Sequence, residues 1–565
     1  MPIPRPARPR RLTLFIAALA AALTLGLSAC VSPPPEASSG GGTAVIAFIQ
    51  EPGLMSPMFG TQSGRDLTYA FVVEPLFETM ADGTMEPLLA AELPTTENGG
   101  LSADGRTVTF RLRPGITWSD GTPLTAQDMA FTVEVTQNRD GAALNAEPEY
   151  QSIASTQVVD DRTLVVTMKE PQPGYLNLFR QILPKHAFSS SAVQLEDPQA
   201  RLPLGTGPFK YEEWKPGDQI RLVRNPAYWR DPALPKLDGI TLKITPEKQA
   251  AISGFINGEY DAVYFITSGD LADLQRAKDS GAPIELKTAE RTGNTEWLWL
   301  NHSAGGDLSK PHPVLGDPAI REAIDVGINR KAIIDDVLGG FGRLNGAMLF
   351  SGFGAVPAPP AAFDTGRANA VLDAAGWARG ADGIRSRDGV RAHLRFQTIA
   401  GDQTRALYQQ IIQQNMKDVG IELSIENVPS NTIFDSRGKN GLLATGNFDI
   451  VMSRDGAFAD PSVWVEVFTT RRIPTDANPS TFSYTHWSDK RFDDLERKQA
   501  TEIDPATRKQ ALAQINDLFH AERVAIPVYG SVLGDAWNTA LTDVDTGFWD
   551  GMWTTSSSAR WAIAR

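Results

Sequence analysis

Cysteine is almost absent: Cys30 is the single one in 565 residues, so the chain can form no intramolecular disulfide and no cysteine-based metal cluster. Histidine is also scarce. His186, His302, His312, His393, His486 and His520 are scattered with no pair four residues apart, which excludes the HExxH helix of zinc proteases and disfavours a site of clustered imidazoles for nickel. No GxSxG nucleophile elbow occurs. The glycine-rich LGGFGRLNG (338–346) follows a helical pattern and lacks the phosphate-binding lysine, so it reads as a loop. Positive charge is in deficit, with 53 Lys and Arg against 67 Asp and Glu and a net charge of −14. A nucleic-acid partner needs clustered cations, as does a polybasic grip on anionic lipid, and neither fits this balance. Beyond the N-terminus no apolar run approaches the ~18 residues of a membrane span, and no repeat of ~20–50 residues marks a solenoid or propeller.

The N-terminus is the sharpest positive signal. Arg5, Arg8, Arg10 and Arg11 precede the apolar run from Leu12 to Leu27, and Ser28-Ala29 stand directly before Cys30. A charged head, a short apolar stretch and small residues describe a secretory signal over residues 1–29. The small pair before cysteine looks like a bacterial lipobox, with Cys30 as the lipidation site. The VSPPPEASSGGG that follows cannot bury apolar surface and serves, within 30–42, as a linker of roughly 20 Å. Removal of the four arginines in residues 1–29 takes the net charge from −14 to −18.

The remaining chain is too long for one core and enough for two or more domains. TVTFRLR (107–113) alternates apolar and polar residues as a half-buried strand, and RTLVVTM (162–168) reads as another. In DPAIREAIDVGI (317–328), Asp317 suits an N-cap, Pro318 the first helical position, and Ile320, Ala323, Ile324 and Ile328 form one stripe. Asn329 can cap a short second helix ending at Leu338-Gly339. Further helices are expected from Gln403 to Val419, stopped by Gly420, and from Asp504-Pro505 to about Phe519, with strands in IELSIENV and VAIPVYG (524–530). Thr125 with Asp128 forms a near capping box, Asn225-Pro226 a turn, and GTGPF supplies glycines for positive φ. The class is α/β.

Six blocks occur in an order that carries a family likeness: TVTFRLRPGITWSDGTPLTAQDMAFT (107–132), GTGPFKYEEWKPGDQIRLVRNPAYW (205–229), INGEYDAVYF (256–265), DPAIREAIDVGINRKAIIDDVLGG (317–340), AVLDAAGW (370–377) and the DP pair at 460–461. The chain resembles the peptide-type (oligopeptide, dipeptide and nickel-binding, family 5) substrate-binding proteins of ABC importers. That resemblance implies a two-lobed periplasmic-binding-protein-like fold of the large peptide-binding class. The first lobe is expected in 43–74, 203–295 and 531–565, an inserted domain in 75–202, and the second lobe in 296–530. It also implies an extracytoplasmic monomer, anchored to the cell membrane through Cys30, that passes a peptide or other small solute to an importer permease. No cofactor and no catalysis are expected.

In peptide-binding relatives an aspartate before the DP-type motif meets the ligand's free amine. The resemblance places Asp455 in that role, with Arg454 beside it able to neutralise it. Trp297 and Trp299 alternate on a strand and share one face, opposite Leu298 and Leu300, so Trp297 is a candidate cleft wall. Phe458, an aromatic residue beside Asp455, is a further ligand-binding candidate, and so is Met55, in the loop 50–60 that the resemblance places facing the ligand. Three alternatives stay open: an oligosaccharide ligand, since tryptophan is plentiful; a carboxylate-based secreted hydrolase; and a chemoreceptor or adhesin lipoprotein on the same fold.

Overall fold

The structure is a computed structural model that describes residues 41–51, 53–56, 58–59, 68, 70–80, 84–138, 140–141, 148–289, 293–457, 460–479, 481–545 and 553–564. Cys30 and Phe458 lie outside the described residues. Two sheets organise the chain from Gly42 onward. The first has seven strands in the order Ile284–Ala289, Leu533–Asn538, Ala262–Thr267, Thr43–Phe48, Gly239–Ile244, Gln219–Arg224, Phe209–Lys215. Thr43–Phe48 runs parallel to both its neighbours. A parallel strand needs cover on both faces, and this one has it. Ile46 and Phe48 pack with Phe71, Tyr264 and Trp561 on one side, while Ala47 joins Val263 and Ile266 beneath the helices Lys248–Ile256 and Ser268–Asp279 on the other.

The second sheet has six strands in the order Gly342–Arg343, Ala525–Ser531, Gly293–Leu300, Ile450–Ala457, His393–Gln397, Glu422–Ile425. Leu298, Leu300, Ile450 and Met452 pack against the helices Pro318–Gly327 and Gln403–Val419. Trp297, Trp299 and Val451 pack on the opposite face with Trp464 and Phe519. The chain passes from the first sheet to the second between Ala289 and Gly293, and returns at Val532. A smaller antiparallel sheet (Thr107–Arg111, Thr163–Met168, Ile153–Asp160) builds its own core with the helix Ala126–Gln137. This unit falls in the chain between the first and second strands of the large sheet.

Local sequence chemistry accounts for most boundaries. The Asp317 carboxylate accepts from the Ala319 N–H at 2.9 Å and opens the helix Pro318–Gly327. Asn329 accepts from the Ala332 N–H at 3.0 Å and starts a short helical turn that widens to a π-helical one over Ile333–Val337. The helix Gln403–Val419 ends where Gly420 takes φ 90°. The Asp128 carboxylate accepts from the Thr125 N–H at 2.8 Å. The helix Pro505–Glu522 runs three residues past Phe519, because Arg523 itself adopts the left-handed conformation at φ 46°.

Two expectations need correction. Gly342–Arg343, inside LGGFGRLNG, is an edge strand paired with Ala525–Ser531 and not wholly a loop. The glycines of GTGPF are required by close approach and not by positive φ. A Cβ on Gly205 would lie 1.8 Å from the Val72 carbonyl oxygen, and one on Gly207 2.7 Å from it. The backbone of Val72 abuts this segment, and the Gly207 N–H donates to the same carbonyl at 2.8 Å. Gly205→Ala is therefore expected to cost about 1–3 kcal/mol, the range for overpacking. Gly438→Ala, with nothing within 4 Å of the added carbon, should stay within ~0.5 kcal/mol. Urea unfolding of the two variants checks the difference.

Candidate functional site

The strands Gly293–Leu300 and Ile450–Ala457 pair antiparallel, with Thr295 opposite Asp455 and Trp297 opposite Ser453. Asp455 thus stands at the end of the second sheet where the chain crosses to and from the first. The pleat puts Asp455 on the tryptophan face. The Trp297 indole N–H donates to the Asp455 carbonyl oxygen at 3.0 Å, and the Trp299 indole donates to the Ser453 hydroxyl at 2.7 Å. Trp297 is 1% exposed and stacks on Trp299 with centroids 5.4 Å apart.

The half-buried Asp455 carboxylate accepts from the Gly456 N–H at 2.8 Å and has no ion-pair partner among the described residues. Burial pushes its pKa up to about 6, against the smaller lowering effect of the Gly456 N–H. Arg454 does not neutralise it. Successive strand residues face opposite ways, so the Arg454 Nε lies 3.6 Å from a Glu296 oxygen on the leucine face, and its Nη2 donates to the Tyr529 hydroxyl at 3.4 Å.

That leucine face hides a charged group that sequence reasoning missed. Glu296 is fully buried, and Arg405 grips it with Nε at 2.8 Å from one oxygen and Nη2 at 3.1 Å from the other. Tyr408 and Tyr529 meet edge to face beside it at 5.6 Å. The available signal was its position in TEWLWLN: alternation sets Glu296 on the same side as Leu298 and Leu300, where a charge needs a partner.

Met55 belongs to the other lobe. It is fully buried in the cluster with Phe48 and Phe71, and its sulfur accepts from the Thr68 hydroxyl at 3.3 Å. The structure therefore joins Asp455 to Trp297 and leaves Met55 apart from both.

A cleft of about 610 Å³ opens between the inserted unit and the second lobe, with Tyr175 and Leu176 on one wall and Phe353, Asp460, Ile503 and Arg508 on the other. Its size falls within the ~300–1,000 Å³ of small-ligand sites. Asp460, from the DP pair, is already matched: both its oxygens accept from Arg508 at 2.7 Å. Burial opposes its charge, and the Arg508 guanidinium outweighs that and holds its pKa below the ordinary value. Among the described residues no three His, Cys, Asp or Glu side chains are grouped to hold a metal ion.

Removing one member of a buried ion pair leaves the other uncompensated. Arg405→Met is expected to destabilise the second lobe by about 3–5 kcal/mol, and Glu296→Leu added to it should recover most of that loss. Chemical denaturation of the single and double variants provides the check.

The chain is 28% identical over 568 residues to Protein XP55 of Streptomyces lividans, covering 96% of this chain and 93% of that one. It is 24% identical over 505 residues to the oligopeptide-binding protein AppA of Bacillus subtilis, covering 83% and 88%. Among solved structures, the ABC transporter substrate binding protein CtaP of Listeria monocytogenes superposes with a TM-score of 0.77 at 21% identity, covering 93% of this chain and all of the other. The family model for bacterial extracellular solute-binding proteins, family 5 Middle, matches residues 84–472, which include most of the inserted unit, the cleft residues Tyr175, Leu176, Phe353 and Asp460, and both Trp297 and Asp455. Two sheets joined by two crossovers and an inserted unit facing a cleft are thus the frame of a solute receptor, and the chain belongs to family 5 of the bacterial extracellular solute-binding proteins.

Proposed function

We propose that the chain is a membrane-anchored, extracytoplasmic receptor that closes two lobes around an oligopeptide-like ligand and delivers it to an ABC importer permease. Asp455 carries this reading. It is a half-buried carboxylate without a cationic partner among the described residues, at the sheet end beside both crossovers. A free peptide amine is a suitable partner, and a charge-assisted hydrogen bond gains strength where water is excluded. The two crossovers provide the hinge, so contacts made from both lobes form only on closure. Cys30, lipidated, is the tether.

Half of the twelve tryptophans are withdrawn from solvent, which weakens the argument for a sugar. Trp118, Trp297, Trp299, Trp377, Trp464 and Trp561 are all nearly inaccessible, and they serve the cores instead of offering flat exposed platforms. Titration calorimetry with mixed di- to pentapeptides and with cello-oligosaccharides tests the proposal. Peptide binding with compaction in solution scattering is expected, and binding of sugars alone overturns it. Asp455→Asn should weaken a free-amine peptide by about 1.5–3 kcal/mol, and an unchanged affinity removes Asp455 from the site.

The pH dependence has a definite sign. The native Asp455 carboxyl, with its pKa at about 6, holds a proton more tightly than its ordinary value of 3.8 allows. Protonated Asp455 stabilises the fold at low pH, and that contribution is lost as pH rises through about 6. The amine ligand needs the carboxylate, so its affinity should fall as pH drops below that point. Calorimetry from pH 5 to 8 is expected to show the fall in the unaltered chain and its absence in Asp455→Asn. At pH 8 the ligand-free variant should melt above the unaltered chain.

A further inference from the structure

Behind the cleft is a second chamber of about 50 Å³, between the ribbon Phe77–Thr79/Met85–Pro87 of the inserted unit and the first-lobe residues Pro208, Tyr228 and Arg230. Met85 and Asn177 line both spaces, so the two share a wall. By volume the chamber holds roughly three or four water-sized bodies. It is too small for an amino acid and large enough for a charged head with its last methylene. Val73, Phe77 and Leu88 give it apolar walls, and Thr79, Asn177, Arg180, Tyr228, Arg230 and Ser556 give it polar ones.

Two carboxylates reach it. Glu74 is fully engaged, accepting from the Thr206 hydroxyl at 3.1 Å, the Tyr228 hydroxyl at 3.1 Å and the Trp229 indole at 2.7 Å, with the Arg230 Nε at 3.3 Å. Glu78 differs. It is half-buried, and among the described residues it makes no hydrogen bond or ion pair. Directly across the ribbon stands Glu86, and like charges in that register repel. The other charged groups facing Glu78 are Glu74, Arg230 and Arg560. Arg230 is committed to Glu74, and Arg560 to Asp545 at 2.9 Å. Arg180 also lines the chamber. Burial, reinforced by Glu74 and Glu86 and opposed by Arg230 and Arg560, pushes the Glu78 pKa up to about 7. A cation here would relieve the Glu78–Glu86 repulsion and give Glu78 a direct partner, which Arg230 and Arg560, engaged elsewhere, do not supply.

We infer that this chamber receives the cationic end of a basic side chain, so that the preferred ligand carries a second positive charge beside its free amine. Met85 is unbranched and adaptable, which lets the shared wall open for a methylene stem. The chain's net charge of −14 favours approach of such a ligand. The inference rests on the peptide reading above and adds to it the charge of the side chain.

The test uses the full chain and peptide pairs that differ only in lysine against norleucine, with that residue moved along the peptide. Calorimetry at pH 8 is expected to show at least one position where lysine binds about tenfold tighter, the weight of one ion pair of ~1.4 kcal/mol. The ratio should shrink at pH 6, where Glu78 takes up a proton. Both members share the same amine and the same Asp455, so titration of those groups cancels in the ratio. Glu78→Gln should abolish the preference. It removes one of two facing carboxylates and is expected to fold, and the pH ratio in the unaltered chain is a readout that needs no variant. Equal affinities at every position, or a preference that Glu78→Gln leaves intact, overturn the inference while the peptide reading stands. Failure of both peptide sets to bind overturns both.

Discussion

The register of one strand governs the second lobe. Gly293–Leu300 pairs on both sides, with Ile450–Ala457 and Ala525–Ser531, and it begins directly after the chain leaves the first sheet. Its two faces are unlike, with tryptophans on one and leucines on the other. A slip of one residue would exchange them, putting two indoles among the helices that now cover Leu298 and Leu300. The indole bonds from Trp297 to the Asp455 carbonyl and from Trp299 to Ser453 pin the same alignment from the side. Asp455 owes its place at the crossover to this register, not to any feature of its own loop.

A polar row enforces that alignment. Across three adjacent strands, Tyr529, Glu296 and Arg454 stand side by side on the leucine face. Burying Glu296 costs several kcal/mol before any pairing. Arg405, from the helix Gln403–Val419, returns much of that through a two-point grip. The arrangement is weak as a source of net stability, since an apolar row could pack as well. Its stronger effect is on uniqueness: any other register strands a carboxylate in the core. The fold thus places its buried charges where a misalignment would disturb the proposed site most.

How much of this was legible in the sequence depends on range. Capping was local and could be read: Asp317, Asn329 and Gly420 act within four residues of where they stand. Alternation was equally local, and it separated Trp297 from Leu298. Applied to DIVMSRDGAFADP, the same rule would have put Arg454 and Asp455 on opposite faces, so the supposed neutralisation was an avoidable error. Partners far apart in the chain were out of reach. Arg405 is 109 residues from Glu296, and Glu74 is 132 from Thr206 and 155 from Trp229. The glycine at 205 was noticed for the wrong reason, because its neighbour, the Val72 backbone, is also distant in sequence. Six ordered blocks could carry the family without any of these contacts, because they report turns and helix starts that each fold locally.

The proposed closure sets an energetic condition on the ligand. To move the lobes from about 1:99 to 99:1 in favour of the closed form, it must prefer that form by about 5.5 kcal/mol. A charge-assisted hydrogen bond supplies ~1.5–3 kcal/mol, so an amine at Asp455 alone falls short. Asp455 also belongs to one lobe only, and a contact available in the open form adds nothing to the preference. The remainder has to come from surfaces that meet the ligand from the other side. In the proposed closure the inserted unit offers them: Tyr175 and Leu176 face Phe353 and Ile503 across a cleft of about 610 Å³, whose lining does not itself include Asp455. Apolar burial there at ~25 cal/mol per Å² needs about 220 Å² of newly covered surface to supply the whole preference. A short peptide with one sizeable side chain meets that figure, whereas a bare amine or a small ion does not.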